Sequence, residues 1–283
     1  MTFTLRLLSE NRYGTFLRWL EGSGNGSNEA GREATCIVTL RHPDHGDARP
    51  FYVKLYPDLA GQSRGLINEV VGYVLADRFG LPQPPKACLL RVPLKKLDLA
   101  SLPKQHSWVK ALAKETPTYP AFCTEAVSKP TPWQHYGEHA AAAMTADVRA
   151  WPEHLKALAF DEIIANVDRH MNNLLRIDES HYALIDHGRL VAGDGHWSAP
   201  QLDPALQAVN RLLYILYADP SEAGNGMVAA AEAATILLAG LAEVRHWSAA
   251  ILRNEAERAA FDKFLQLRTI AAPNRIADRY VLC

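Results

Sequence analysis

"NVDRHMNNLLRIDESHYALIDHG", residues 166–188, contains two short apolar runs, 174–177 and 182–185, separated by the polar residues 178–181. Two apolar runs about a polar turn read as a β-hairpin. Symmetric pairing about a four-residue turn sets Asn173 opposite Asp186 at the far end of the ribbon. A carboxylate directly after a core strand is costly unless it is paired or coordinates a cation. Residues opposed across an antiparallel pair hold their Cβ atoms roughly 5 Å apart, so Asn173 and Asp186 can share one ion. An oxygen-only ligand set of this kind suits Mg2+, which keeps several waters and binds through one or two carboxylates plus the phosphates of a substrate. Asp168 lies five residues before Asn173 and supplies a third side chain, placed to orient a hydroxyl.

The spacing Asp-x-x-x-x-Asn, from Asp168 to Asn173, matches the catalytic loop of protein kinases, where the Asp is the base and the Asn holds a metal. Asp-x-Gly follows at Asp186-His187-Gly188. Either short pattern alone is common by chance, and isolated Asn and Asp residues at hairpin ends are ordinary turn residues. Their order, and a hairpin that joins them, point to one site. The first half of the chain is consistent with this. Lys54 stands inside the apolar strand "FYVKLY", and Glu69 lies on the following helix "SRGLINEVVGYVLADRFG", placed to pair with it. Upstream, "GSGNGSN" supplies Gly22, Gly24 and Gly26 with Ser23 and Ser27, a loop whose backbone N–H groups could contact phosphates. Its serines are candidates for autophosphorylation.

Composition sets the outer limits. The chain has 283 residues, 30 basic against 31 acidic, for a formal charge of −1. Direct nucleic-acid binding by the whole chain is not expected from that balance. Four dispersed cysteines without C-x-x-C spacing suggest free thiols in a reducing cytosol. No secretory signal is expected at the start, and the apolar run from Met227, interrupted by Glu232, is read as a core helix rather than a membrane span. Strands are expected over 15–20, 35–41, 50–57, 86–92 and 121–127. Helices are expected from 63 to 80, 152–165 and around 204–218, 227–245 and 254–270. A strand-rich half followed by a helix-rich half gives an α+β protein of two lobes, 1–127 and 128–283, with a Pro-broken hinge between about 117 and 132.

On "YVKLYP", "INEVVGYVLADRFGLPQPP", "FDEIIANVDRHMNNLL" and "ALIDHG", about residues 51–190, the chain resembles the HipA-like kinases, particularly their short standalone members, and more faintly the phosphoinositide kinases. The resemblance implies a two-lobed protein-kinase-like fold and an ATP- and Mg2+-dependent serine/threonine kinase of the toxin type. Its acceptor would be a cytoplasmic protein, and an antitoxin protein could be its partner. Asp168 would then be the catalytic base, with His170 supporting phosphoryl transfer. Asn173 and Asp186 would be magnesium ligands. Lys54 would contact the ATP phosphates, oriented by Glu69, with Gly24, Gly26 and Ser27 in the phosphate loop. The Asp-Phe-Gly position of protein kinases reads Asp-His-Gly here.

Other readings stand beside this one: a lipid or small-molecule kinase, a nucleotide-binding pseudokinase, and a metallohydrolase using Asp168, His170, Asp186 and His187. The hydrolase leaves Lys54 and the glycine loop without a role. His135 and His139, at i, i+4 spacing, form a weaker zinc candidate with no evident third ligand.

Overall fold

In strand β4 (Arg49–Leu55) burial alternates: Phe51, Val53 and Leu55 are fully buried while Tyr52 and Lys54 are half-buried. Side chains of period two on a strand that has neighbours on both sides produce this pattern. β4 lies between β3 (Ala34–Leu40) and β6 (Thr118–Glu125), so Lys54 is opposite Thr35 on one side and Phe122 on the other. With β1 (Thr4–Leu8), β2 (Tyr13–Trp19) and β5 (Lys86–Pro93), they form a six-stranded mixed sheet in the order β1-β5-β6-β4-β3-β2. Among the described residues only the β1–β5 pair is parallel. Strand β1 carries no sequence expectation, because "TLRLL" is too short to show a period. The computed structural model describes residues 4–20, 33–57, 64–191 and 196–281. The glycine loop, with Gly22, Ser23, Gly24, Gly26 and Ser27, lies outside the described residues.

The protein is a mixed α/β chain that divides into two compact units. One comprises Met1–Leu66 with Pro84–Val127, and the other Ile67–Gln83 with Ser128–Cys283. The first unit buries one face of the sheet, with Val38, Leu40, Phe51, Val53, Leu90 and Val92 at its centre. Val109 of α2 (Ser107–Glu115) joins that core. Helix α1 (Gly65–Arg78), assigned to the first lobe, passes after Leu66 into the second unit. Within the stretch expected to carry a hinge, about 117–132, residues Thr118–Glu125 form β6, whose Ala121, Phe122 and Cys123 fill the sheet between β5 and β4.

The second unit is helical apart from one hairpin. Helix α5 (His154–Ile164) is buried all round over residues 157–164, which marks the centre of this unit. It ends at Ala165, whose left-handed backbone has φ +54°. Its last carbonyls are capped by Arg268, fully buried on α9 (Glu255–Tyr280), which donates to Ile163 O at 2.8 Å and to Glu162 O. α9 and α7 (Ser221–Glu232) pack against α5, and the unit also contains α3 (Pro132–Tyr136), α4 (Ala141–Ala150), α6 (Arg211–Leu216) and α8 (Ile236–Ile251). Only 211–216 of the expected 204–218 helix forms, since Asn210 caps it from within by accepting the Leu213 N–H at 3.2 Å. Gly137, at φ +72°, ends α3 before His139, so His135 and His139 do not share a helical face. The helical run Ser221–Ile251, 31 residues, contains an 18-residue window of mean hydropathy 1.7, enough to cross a membrane by length and composition alone. It is broken by a 3-10 turn at Ala233–Thr235, and its Met227, Ala231, Leu237, Leu241 and Val244 are buried.

The hairpin β7 (Leu174–Asp178) and β8 (His181–Leu184) closes with a two-residue turn, Glu179-Ser180, with Ser180 at φ +54°. Asp178 pairs with His181, but Arg176 pairs with Tyr182 and Leu174 with Leu184, so Ile177 is an extra, bulged residue. The bulge shifts the register by one. Asn173 therefore faces Ile185, whose N–H donates to its carbonyl at 3.1 Å, and not Asp186 as symmetric pairing requires.

Asp147 of α4 holds the hairpin from outside. Its carboxylate accepts Ser180 Oγ at 2.9 Å, Arg176 Nε at 3.2 Å and the Tyr182 hydroxyl. Burial raises its pKa, but the hydrogen bonds from Tyr182, Tyr136, Ser180 and Arg176 outweigh that and bring it from 3.8 down to about 2. A depressed carboxylate stabilises the fold above its unfolded value and loses that contribution as pH falls through the folded one. Asp147→Ala should therefore cost about 2 kcal/mol at neutral pH, because its hydrogen-bond donors lose their acceptor. The difference between wild type and variant should shrink between about pH 4 and pH 2 in urea titrations. A pH-independent difference would contradict the assignment.

Candidate functional site

The loop between α5 and β7 is organised by one side chain that the sequence presents as an ordinary loop arginine. Arg169 is fully buried, and its Nε lies 3.2 Å from Asp161 Oδ2, also fully buried. Burial raises the Asp161 carboxyl, while the Arg169 guanidinium and the Asn166 amide oppose it. The remaining donors reach across the hairpin: Nη1 to the carbonyls of Ile185, Asp186 and Asn173, and Nη2 to His187 Nδ1 at 3.0 Å. One rigid fork thus joins the end of α5, the start of β7 and the end of β8.

Around that fork the proposed site residues take fixed positions. Asn166 Oδ1 accepts the backbone N–H of Asp168 at 3.1 Å, while its amide donates to Asp161 at 3.0 Å. Asn173, 5% exposed, donates Nδ2 to the Asp168 carbonyl at 2.8 Å. With its amide nitrogen committed there, the atom Asn173 can offer a ligand is Oδ1, a neutral oxygen that suits a hard cation. His170 Nδ1 accepts the Asn172 N–H at 3.1 Å, so the neutral ring carries its proton on Nε2. Burial lowers the His170 pKa against the opposing pull of Asp168 and Asp186, which favours that neutral form.

Asp186 is one of four described non-glycine residues at positive φ, +62°. A left-handed aspartate costs about 1 kcal/mol, and here its neighbours hold it there. Arg169 takes the carbonyls of Ile185 and Asp186, and Glu69 Oε2 accepts the His187 N–H at 2.9 Å. Asn68 donates to the Gly188 carbonyl at 2.8 Å and accepts Trp197 Nε1 at 3.1 Å. Gly72, one turn on, lets the His187 ring lie against α1, for a Cβ there would stand 2.3 Å from His187 Cβ. The register shift that takes Asp186 away from Asn173 is thus followed by a backbone reversal in the Asp-His-Gly turn.

Asp168, His170, Asn173, Asp186 and Glu69 all lie in the second unit, and Asn173 Oδ1 and the Asp186 carboxylate are the oxygens of the kind a magnesium ion would take. Lys54 belongs to the first unit, on β4. Glu69 has a task absent from the sequence reading, holding the Asp-His-Gly turn. Asn68, Asp161, Asn166 and Arg169 were not anticipated either. One signal was available: a polar pair, Asn68-Glu69, inside an otherwise apolar helical run must be used or be costly. The hydrolase reading needs His187 as a ligand, yet its Nδ1 meets the Arg169 guanidinium. Among the described residues no group of three or more His, Cys, Asp or Glu is placed to hold a metal.

Breaking a buried ion pair by removing one partner costs about 3–5 kcal/mol. Arg169→Met should lose stability of that order in denaturant titrations, and Asp161→Leu in the Arg169→Met background should recover part of it. A loss below about 1 kcal/mol for the single variant would show that the fork is not holding the loop.

No protein-family model matches the chain, and no curated protein matches it.

Proposed function

We propose that the protein is a phosphotransferase that uses ATP and Mg2+, a HipA-like serine/threonine kinase in the reading its sequence resemblance favours. A two-lobed, kinase-like organisation belongs to the same proposal. One observation carries it: Asn173 is tied through Nδ2 to the Asp168 carbonyl while one buried arginine holds both the Asp168 loop and the Asp186 turn. That arrangement supports two different roles for two carboxylates in one neighbourhood. Asp168 accepts the proton of the acceptor hydroxyl, and His170 offers a neutral Nε2–H donor beside it. Asn173 Oδ1 and Asp186 hold the magnesium ion, which when bound neutralises charge on the phosphates. Lys54 is the proposed ATP-phosphate contact, and Gly24, Gly26 and Ser27 the proposed phosphate loop. The acceptor is proposed to be a cytoplasmic protein, with an antitoxin as a further protein partner.

The roles separate experimentally. Asp168→Asn should keep much of the Mg-ATP affinity and transfer almost nothing, whereas Asp186→Asn should lose both. Ligand at about 100 times its Kd stabilises a fold by roughly 2.7 kcal/mol, which for a chain of this size raises Tm by about 5 to 10 °C. Wild type and Asp168→Asn should show that shift with Mg-ATP, and Asp186→Asn should show little. Absence of a magnesium-dependent shift in the wild type would contradict the proposal.

Lys54→Met gives an independent check on the first unit. It should abolish phosphotransfer while unfolding stays cooperative, because the lysine lies on the half-buried side of β4 and not among its core residues. Full activity in that variant would remove Lys54 and the glycine loop from the site.

A further inference from the structure

Both carboxylate oxygens of Asp168 are engaged by arginines that the proposed chemistry does not use. Arg211 Nη1 lies 3.1 Å from Oδ1 and Arg189 Nε lies 3.4 Å from Oδ2. The stems of both are fixed. Asn210, just before Arg211, donates to Leu158 O at 2.8 Å. Arg189 sits between Gly188, held by Asn68, and Leu190, which is fully buried. The guanidinium ends are less confined: the Arg211 and Arg189 side chains are 53% and 29% exposed.

A hydroxyl that takes a place at one of these oxygens and gives its proton to Asp168 neutralises the carboxylate, so the guanidiniums lose their counter-charge and can be released. The Arg211 guanidinium is exposed, and exposed ion pairs contribute little, so its release is a small barrier. What happens to the released cation then depends on the acceptor. A carboxylate or phosphoryl group near the hydroxyl can take the guanidinium in a charge-assisted, bidentate contact, exchanging one partner for another. A neutral neighbour leaves the arginine without that exchange, and a lysine or arginine neighbour repels it.

We propose that Arg189 and Arg211 select the acceptor, a serine or threonine in an acidic polypeptide segment with a carboxylate or phosphoryl group within a few residues of the hydroxyl. This rests on the phosphotransferase reading and adds the charge of its substrate. In the transfer, the hydroxyl oxygen bonds to the γ-phosphorus of ATP, the bond to the β,γ-bridging oxygen breaks to release ADP, and the hydroxyl proton passes to Asp168. The acidic flank replaces Asp168 as the arginines' partner while this occurs.

The test uses serine and threonine peptides that differ only in flanking Asp, phosphoserine, Ala or Lys, with labelled ATP and magnesium. Phosphoinositide vesicles form a further arm, and a Mg-ATP melt is run on each protein. Wild type should favour acidic over lysine flanks by about tenfold or more in kcat/KM, a difference of about 1.4 kcal/mol. The Arg189→Gln, Arg211→Gln double variant should lose most of that preference, and Arg211→Glu should move it towards lysine flanks. Equal use of acidic and basic peptides by the wild type would overturn the inference. So would a double variant faster on every peptide with its preference unchanged, since the arginines would then only cover the base. Transfer to the vesicles alone, or to no peptide, would overturn it too. A retained Mg-ATP melting shift in the wild type would then show that the kinase reading survives, and loss of that shift would remove both.

Discussion

The guanidinium of Arg169 is fully withdrawn from water, and a buried charge must be met by a counter-ion and by acceptors for its remaining N–H groups. Asp161 supplies the charge, and the carbonyls of Asn173, Ile185 and Asp186 supply the acceptors. Those acceptors lie on the two ends of the hairpin, so satisfying the arginine fixes where both ends are. The positions of Asp168, Asn173 and Asp186 follow from that requirement. A hydrophobic substitute could fill the same volume, but it could not hydrogen-bond three separate carbonyls.

A second layer acts on the same turn from α1. Asn68 and Glu69 each take one backbone group of residues 187–188, and Gly72 leaves room for the His187 ring. The Asp-His-Gly turn is therefore gripped from two sides, by the loop arginine and by a helix, which is how a left-handed aspartate can persist. In protein kinases the middle residue of this turn is a phenylalanine that packs. Here the histidine packs against Phe160 edge-on, with ring centroids 6.3 Å apart, and also meets Arg169 through Nδ1.

Much of the sheet was legible because β3, β4, β5 and β6 are apolar runs bounded by Pro, Gly and polar residues. β1 was not, since five residues without clear alternation carry little signal and its parallel pairing to β5 is a tertiary fact. The hairpin was legible as a hairpin, but its register was not. A single bulged residue, Ile177, changes every partner beyond it, and nothing in the pattern "LLRID" announces a bulge. At the site, Asp168, Asn173 and Asp186 stood out by their order. Arg169 and Asp161 did not, because an arginine in a polar loop is ordinarily solvated and its burial is set by residues far along the chain. Arg189 and Arg211 were hidden for a related reason: 22 residues separate two side chains that meet on one carboxylate.

We propose that Asn173 and Asp186 hold a divalent cation together with ATP. Relaxation of water protons by manganese-ATP, titrated with the protein, measures this directly because a protein-bound manganese ion relaxes water far more strongly than the free complex. The account predicts one manganese-ATP site per chain, weakened about tenfold or more in Asn173→Ala, since loss of one of two protein ligands costs at least about 1.4 kcal/mol. No enhancement with the wild type, or the same affinity in Asn173→Ala, would contradict it.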